Sequence, residues 1–244
     1  MKKNLGPLSL DAGGRDEILA ECRALVGMGG AIFTVNAVML ERAEREGEFA
    51  KALSSADILT VDGVGVKWVL ALLGIEAEIL SGVELGEMIV DEGTPSLALI
   101  GGEEGVAERA FAYLKSKNPR LERSFVISGY RHADAEYLAL LSRHRPELCF
   151  VCLGSPRQEY FVREAREASP KTLFLALGGS LDVYSGKKRR APMAMRRAGL
   201  EWLYRMAKEP KRLKNLPRLA NFAVRAMKMA KNSQKTAKDA KKIK

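Results

Sequence analysis

One aspartate stands directly behind an apolar run and in front of two glycines, in D-I-L-T-V-D-G-V-G-V at 57–66. A carboxylate held at the end of a buried strand can accept a proton from an attacking hydroxyl, and burial moves its pKa toward the range where it does so near neutrality. Asp62 could instead cap the helix that begins near Val64, and spacing alone leaves both roles open. Thr34 and Asn36 alternate along the end of another apolar run, A-I-F-T-V at 31–35, so both face one side of a sheet. A hydroxyl beside an amide can fix sugar hydroxyls or an acetamido group; an Asn that opens a turn is the plainer use. Gln158 and Glu159 follow a Ser-Pro turn in G-S-P-R-Q-E at 154–159, where Glu159 also suits the start of a helix.

These residues need a scaffold that brings distant segments to one edge. Six apolar runs read as strands, at 31–35, 57–61, 97–100, 124–127, 148–153 and 173–177. Between them lie segments of helical spacing, including 37–55, 104–117 and 157–168. Continuously apolar strands separated by helices predict an α/β fold: a doubly wound, mostly parallel, Rossmann-like sheet covered on both faces. Such sheets bind ligands beyond the carboxyl ends of their strands. There the sequence sets Gly63 and Gly65, Gly101 and Gly102, Gly154, and Gly178 and Gly179. Tight turns alone call for glycine, but several on one sheet edge favour a phosphate-bearing ligand approached by backbone.

At 244 residues, 47% hydrophobic and 29% charged, the composition is that of a folded globular chain. No apolar stretch nears the ~20 residues that span a bilayer, and the N-terminus lacks the apolar run of a signal peptide, so a cytoplasmic location is expected. Cys149 and Cys152 form a C-x-x-C inside the run LCFVCL. Three residues apart on a strand they point to opposite faces, which fits buried thiols rather than a redox or metal pair. His132 and His144 lie in a polar, arginine-bearing segment and read as surface residues. No D-x-D, phosphate-loop or G-x-S-x-G motif occurs, so no cofactor or metal is expected, and a departing diphosphate would have to be met by arginines or helix N-termini.

The net charge of +10 is unevenly spread: residues 187–244 carry 20 lysines and arginines against three acids, a local +17, which leaves −7 on residues 1–186. From Leu213 to Ala230 apolar and basic residues alternate as two faces of an amphipathic helix, started or kinked at Pro217. A helix packed on its own domain is one reading; the scarcity of acids favours an anionic membrane surface. A nucleic-acid backbone is the rival partner, but Trp202 and Tyr204 form no interleaved aromatic platform for bases. The expected division is a catalytic core at 1–190 and a basic helical appendage at 191–244.

Taken together, T-V-N (34–36), A-D-I-L-T-V-D-G-V-G-V (56–66), G-S-P-R-Q-E (154–159), G-G-S-L-D-V-Y-S-G-K-K-R-R-A-P (178–192), G-L-E-W-L-Y-R (199–205) and E-P-K-R (209–212) resemble the WecG/TagA/CpsF glycosyltransferases. The resemblance implies an inverting, metal-independent transfer of N-acetylmannosamine, or its uronic acid, from a UDP donor to undecaprenyl-diphosphate-linked N-acetylglucosamine. Such transfers build precursors of wall teichoic acid, enterobacterial common antigen or capsule. It further implies Asp62 as general base, and Thr34, Asn36 and Gln158 lining the sugar and nucleotide pocket. The appendage would complete the site at the inner face of the membrane, with Arg205 and Arg212 turned to the diphosphate, and Arg190 is a further expected substrate-binding residue. Self-association through the core is also implied, with no nucleic acid. Three positions depart from the family pattern. Ile79 stands where an arginine is usual, so one phosphate or acceptor contact is lost or moved; Val61 replaces a proline; and Asn215, beside Lys214, replaces a third basic residue.

Overall fold

The computed structural model describes residues 2–91, 96–130 and 132–228, apart from the side chains of Lys211 and Arg212. An antiparallel hairpin, β1 (Lys2–Leu5) and β2 (Leu8–Asp11), opens the chain. Then come α1 (Arg15–Ala24), β3 (Gly30–Val35), α2 (Ala37–Arg45), α3 (Gly47–Ser54), β4 (Ile58–Val61), α4 (Val64–Leu72) and α5 (Gly82–Asp91). The second half runs β5 (Ser96–Gly101), α6 (Val106–Lys117), β6 (Glu122–Ile127), α7 (Asp134–His144), β7 (Leu148–Cys152), α8 (Arg157–Ala168), β8 (Leu173–Ala176) and α9 (Ser180–Tyr184). The six expected strands form one sheet in the order β4-β3-β8-β7-β5-β6, with every pairing parallel. The doubly wound fold follows from those buried runs.

Alternate side chains feed two separate layers. Phe33 and Val35 join Phe49, Phe161 and Phe174 on one face, whereas Ile32 joins Ile18, Leu85 and Val106 on the other. Cys149 and Cys152 fall on opposite faces, both free and buried, and desolvation pushes the Cys152 thiol up to about 12. The thiols are structural, as their spacing implied.

Two local features differ from the sequence expectation. The segment 37–55, read as one helix, breaks at Glu46, whose extended backbone (φ −118°, ψ 94°) separates α2 from α3 just before Gly47. The hairpin was not foreseen. Its Asp11 is buried and accepts from Lys2 Nζ at 3.0 Å and from the Leu59 amide at 2.9 Å, covering the edge strand β4.

Beyond the core lie α10 (Met193–Arg197), α11 (Glu201–Lys208), a 3₁₀ turn (Pro210–Asn215) and a helix, α12, at residues 216–228. Pro217 sits in the first turn of α12, where its missing N–H costs nothing. One stripe of α12 packs on the core through Phe222 and Ala226, and Arg225 reaches Glu44 at 3.0 Å. A second stripe, Leu216, Val224 and Met227, remains exposed, as does Leu213 in the turn before it. The helix therefore packs on its own domain along one stripe, as one of the two readings had it. No residue of α10 or α11 is buried.

Candidate active site

β4 ends at Val61, and the Asp62 amide still donates to Val35 O at 2.9 Å, which holds the residue in line with the sheet. Gly63 then turns the chain into α4 with φ 88°, a conformation that favours glycine. The N-cap of α4 is this glycine and no side chain caps it, so the Asp62 carboxylate is not spent on the helix. It opens instead into a cavity of about 450 Å³ that it shares with Thr34. Desolvation raises the Asp62 pKa to about 6; Arg205 and Arg190 oppose that rise, and Glu201 and Glu84 reinforce it. Gly65 answers a packing need, because a Cβ there would stand 3.0 Å from that of Ala37.

The other expected residues divide. Thr34 is buried and walls the cavity, as does Gly179 ahead of α9. Asn36 caps α2: its Oδ1 accepts from the amides of Val38 at 3.0 Å and Met39 at 3.1 Å, and it is not among the cavity walls. Gln158 braces the loop after β8, its Oε1 accepting from the Gly178 amide at 3.1 Å while its Nε2 donates to Glu159 Oε1 at 2.8 Å. Glu159 is fully buried, and desolvation raises its pKa. Gly101, Gly102 and Gly154 lie at the ends of β5 and β7, outside these walls. A Cβ on Gly101 would stand 2.3 Å from Cys152 O, and one on Gly102 2.7 Å from Val106, so sterics alone call for these two glycines. The side chain of Arg212 lies outside the described residues.

Several contributors escaped the sequence reading. Ser81, Gly82 and Val83, at the start of α5, form one wall. The opposite wall holds Arg190 and Arg205, both expected there, together with Lys187, Lys188, Arg189, Tyr204, Lys208 and Glu209, which were not. Arg190 Nη2 reaches Ser81 Oγ at 3.3 Å, Glu84 at 3.4 Å and Glu201 at 3.5 Å. Arg196 reaches Glu84 at 3.7 Å, and Lys188 bridges Asp182 at 3.0 Å and Glu209 at 3.1 Å. The segment where an arginine was expected holds Ile79, yet a guanidinium does arrive two residues on, from Arg190. The K-K-R-R run after Gly186 was the visible signal; the carboxylates that receive it gave none.

A half-buried carboxylate under a basic rim suits an acceptor hydroxyl on one side and an anionic leaving group on the other. The sequence pattern of the "Glycosyl transferase WecG/TagA/CpsF family" matches residues 4–236. The chain belongs to this family. Two relatives, from Bacillus subtilis (strain 168) and Bacillus spizizenii (strain ATCC 23059 / NRRL B-14472 / W23), are each 29% identical over 211 residues, covering 85% of this chain and 82% of their own. Both are N-acetylglucosaminyldiphosphoundecaprenol N-acetyl-beta-D-mannosaminyltransferases. In this glycosyltransferase, no described helix is long and apolar enough to cross a membrane. Among the described residues, no three His, Cys, Asp or Glu side chains are gathered to hold a metal ion.

Proposed function

We propose that this enzyme transfers N-acetylmannosamine to an N-acetylglucosamine carried on undecaprenyl diphosphate, the sugar and acceptor that the names of its Bacillus relatives give for them, and that the donor is the UDP sugar. The observation that carries the reading is Asp62, whose pKa stands at about 6 in a cavity rimmed by Lys188, Arg190 and Arg205. The Asp62 carboxylate takes the proton from the acceptor hydroxyl as its oxygen attacks the anomeric carbon. The bond from that carbon to the UDP oxygen breaks from the opposite face, which inverts the centre. The electron pair leaves with UDP, and the guanidiniums of Arg190 and Arg205 meet its charge.

In this reading residues 1–190 are the catalytic core and 191–244 the appendage that closes the cavity. Arg212 joins the phosphate ligands, Gln158 shapes the sugar pocket through the loop it braces, and the +17 of residues 187–244 holds the enzyme against the anionic inner leaflet. The test is UDP release with UDP-N-acetylmannosamine and a short-chain lipid-diphosphate acceptor, with the uronic acid donor in parallel. Asp62→Asn is expected to lose about 10²- to 10⁴-fold in kcat while UDP still binds. Turnover in that variant at the parent rate rejects Asp62 as the base.

A further inference from the structure

Two guanidiniums at this cavity, those of Arg205 and Arg190, are already paired. Arg205 Nη2 lies 2.6 Å from Glu201 Oε1, one turn back on α11, and Arg190 Nη2 lies 3.5 Å from Glu201 Oε2. One carboxylate thus spreads two oxygens over two guanidinium groups, much as two phosphoryl oxygens would. Both arginines wall the cavity that holds Asp62, whereas Glu201 stands beside it as the first residue of α11, its side chain 22% exposed with solvent to turn into.

Glu84 offers a contrast. It also meets Arg190 and Arg196, but Ser81 Oγ donates to it at 2.9 Å within its own helical turn, so the core holds it in place. The partners described for Glu201 are guanidiniums alone.

We propose that Glu201 is a placeholder for a diphosphate: it occupies Arg205 and Arg190 while the site is empty and gives them up when the substrate's diphosphate enters. The proposal rests on the reading that these two arginines receive a diphosphate. An ion pair one turn apart on a partly exposed helix is weak. A diphosphate brings more charge and more acceptor oxygens to the same donors, so the exchange runs toward substrate. When the product leaves, the carboxylate returns, so that Arg205 is not left bare beside Asp62, while Arg190 also has Glu84. The same competition holds off anions of lower charge, which makes Glu201 a residue that sets specificity as well as affinity.

The diphosphate could be the donor's or the acceptor's, and titration separates the two. Full-length Glu201→Gln is titrated with UDP and, separately, with a short-chain prenyl diphosphate, by calorimetry beside the parent enzyme. Glutamine keeps the shape and removes the charge, so one of these ligands should bind about two- to fivefold tighter, and its identity says whose diphosphate displaces the carboxylate. Unchanged or weaker binding of both overturns the proposal, and weaker binding is what a residue that merely positions Arg205 would give. Arg205→Gln is the companion. Loss of binding for the ligand that Glu201→Gln tightens supports the exchange. If Arg205→Gln binds both ligands as the parent does, the failure lies in the reading of the arginines as diphosphate ligands, and the placeholder falls with it.

Discussion

At the scale of the residue, Asp62 is a carboxyl kept where it is uncomfortable. Its pKa of about 6, against an ordinary 3.8, means the folded protein holds this proton more tightly than the unfolded chain does. Between those two values the native state binds more protons, so stability falls as pH rises through the window and levels off above it. The charged form therefore costs the fold up to about 3 kcal/mol at pH 7. Asp62→Asn should raise the melting temperature at pH 7 and lose that advantage by pH 4, which calorimetry at both values reads directly. Activity should run the other way. A base must be ionised, so kcat/KM of the parent should climb through about pH 6 and flatten above it. A flat profile from pH 5 to 8, together with no gain in melting temperature, would detach the base from this carboxyl. Asp62 was legible because a strand, an acid and two glycines stand in one continuous stretch. Asn36 sat in an equally suggestive motif, but its amide caps a helix, a competing use that spacing does not separate from ligand binding.

At the scale of the element, α12 packs on the core through Phe222 and Ala226, whereas α10 and α11 meet it through ion pairs and a close backbone approach. Gly199 has φ 72°, and a Cβ built on it would stand 2.7 Å from Val64 Cγ1 in the first turn of α4, two residues past Asp62. Gly199→Ala should therefore push the corner between α10 and α11 away from the cavity. The expected result is at least a tenfold loss in kcat/KM, because a displacement of order 1 Å at the arginines proposed to meet the diphosphate is costly. The fold should persist, since neither helix contributes a buried residue. Gly74→Ala is the control: Gly74 has φ 73° with nothing near its missing Cβ, so it carries only the conformational penalty of about 1 kcal/mol. Equal activity losses in the two variants would show that strain, not the contact with α4, is responsible. The six strands could be read ahead of the structure because each carries an apolar run, buried on both faces in all but the edge strand β6, where only Phe125 is buried. The hairpin could not, because four-residue strands carrying Lys, Asn and Ser lack that signal. Nor could the ion network, whose central pair, Arg190 and Glu84, joins residues 106 positions apart.

At the scale of the whole molecule, charge and apolar exposure lie on the same part of the chain. An anionic leaflet attracts the +17 of residues 187–244 and repels the −7 of the rest, which orients the enzyme before contact. Each lysine or arginine near such a surface contributes about 1 kcal/mol, fading within a Debye length of ~8 Å at physiological salt. Trp202 and Leu203 on α11, Leu216, Val224 and Met227 on α12, and Leu213 just before it are exposed among those charges, so attraction can be followed by shallow insertion. The two contributions separate in sedimentation with vesicles. Raising salt from 0.1 to 0.5 M should release most of the parent enzyme from anionic vesicles. Val224→Ser with Met227→Ser, which leaves Phe222 and Ala226 packed on the core, should weaken binding several-fold at low salt without lowering the melting temperature. Removing residues 196–244 should abolish both vesicle binding and transfer, since it takes away Arg205 along with the surface. If that truncation still sediments with anionic vesicles, or the parent binds zwitterionic vesicles equally well, the appendage is not what brings the active site to its lipid-linked acceptor.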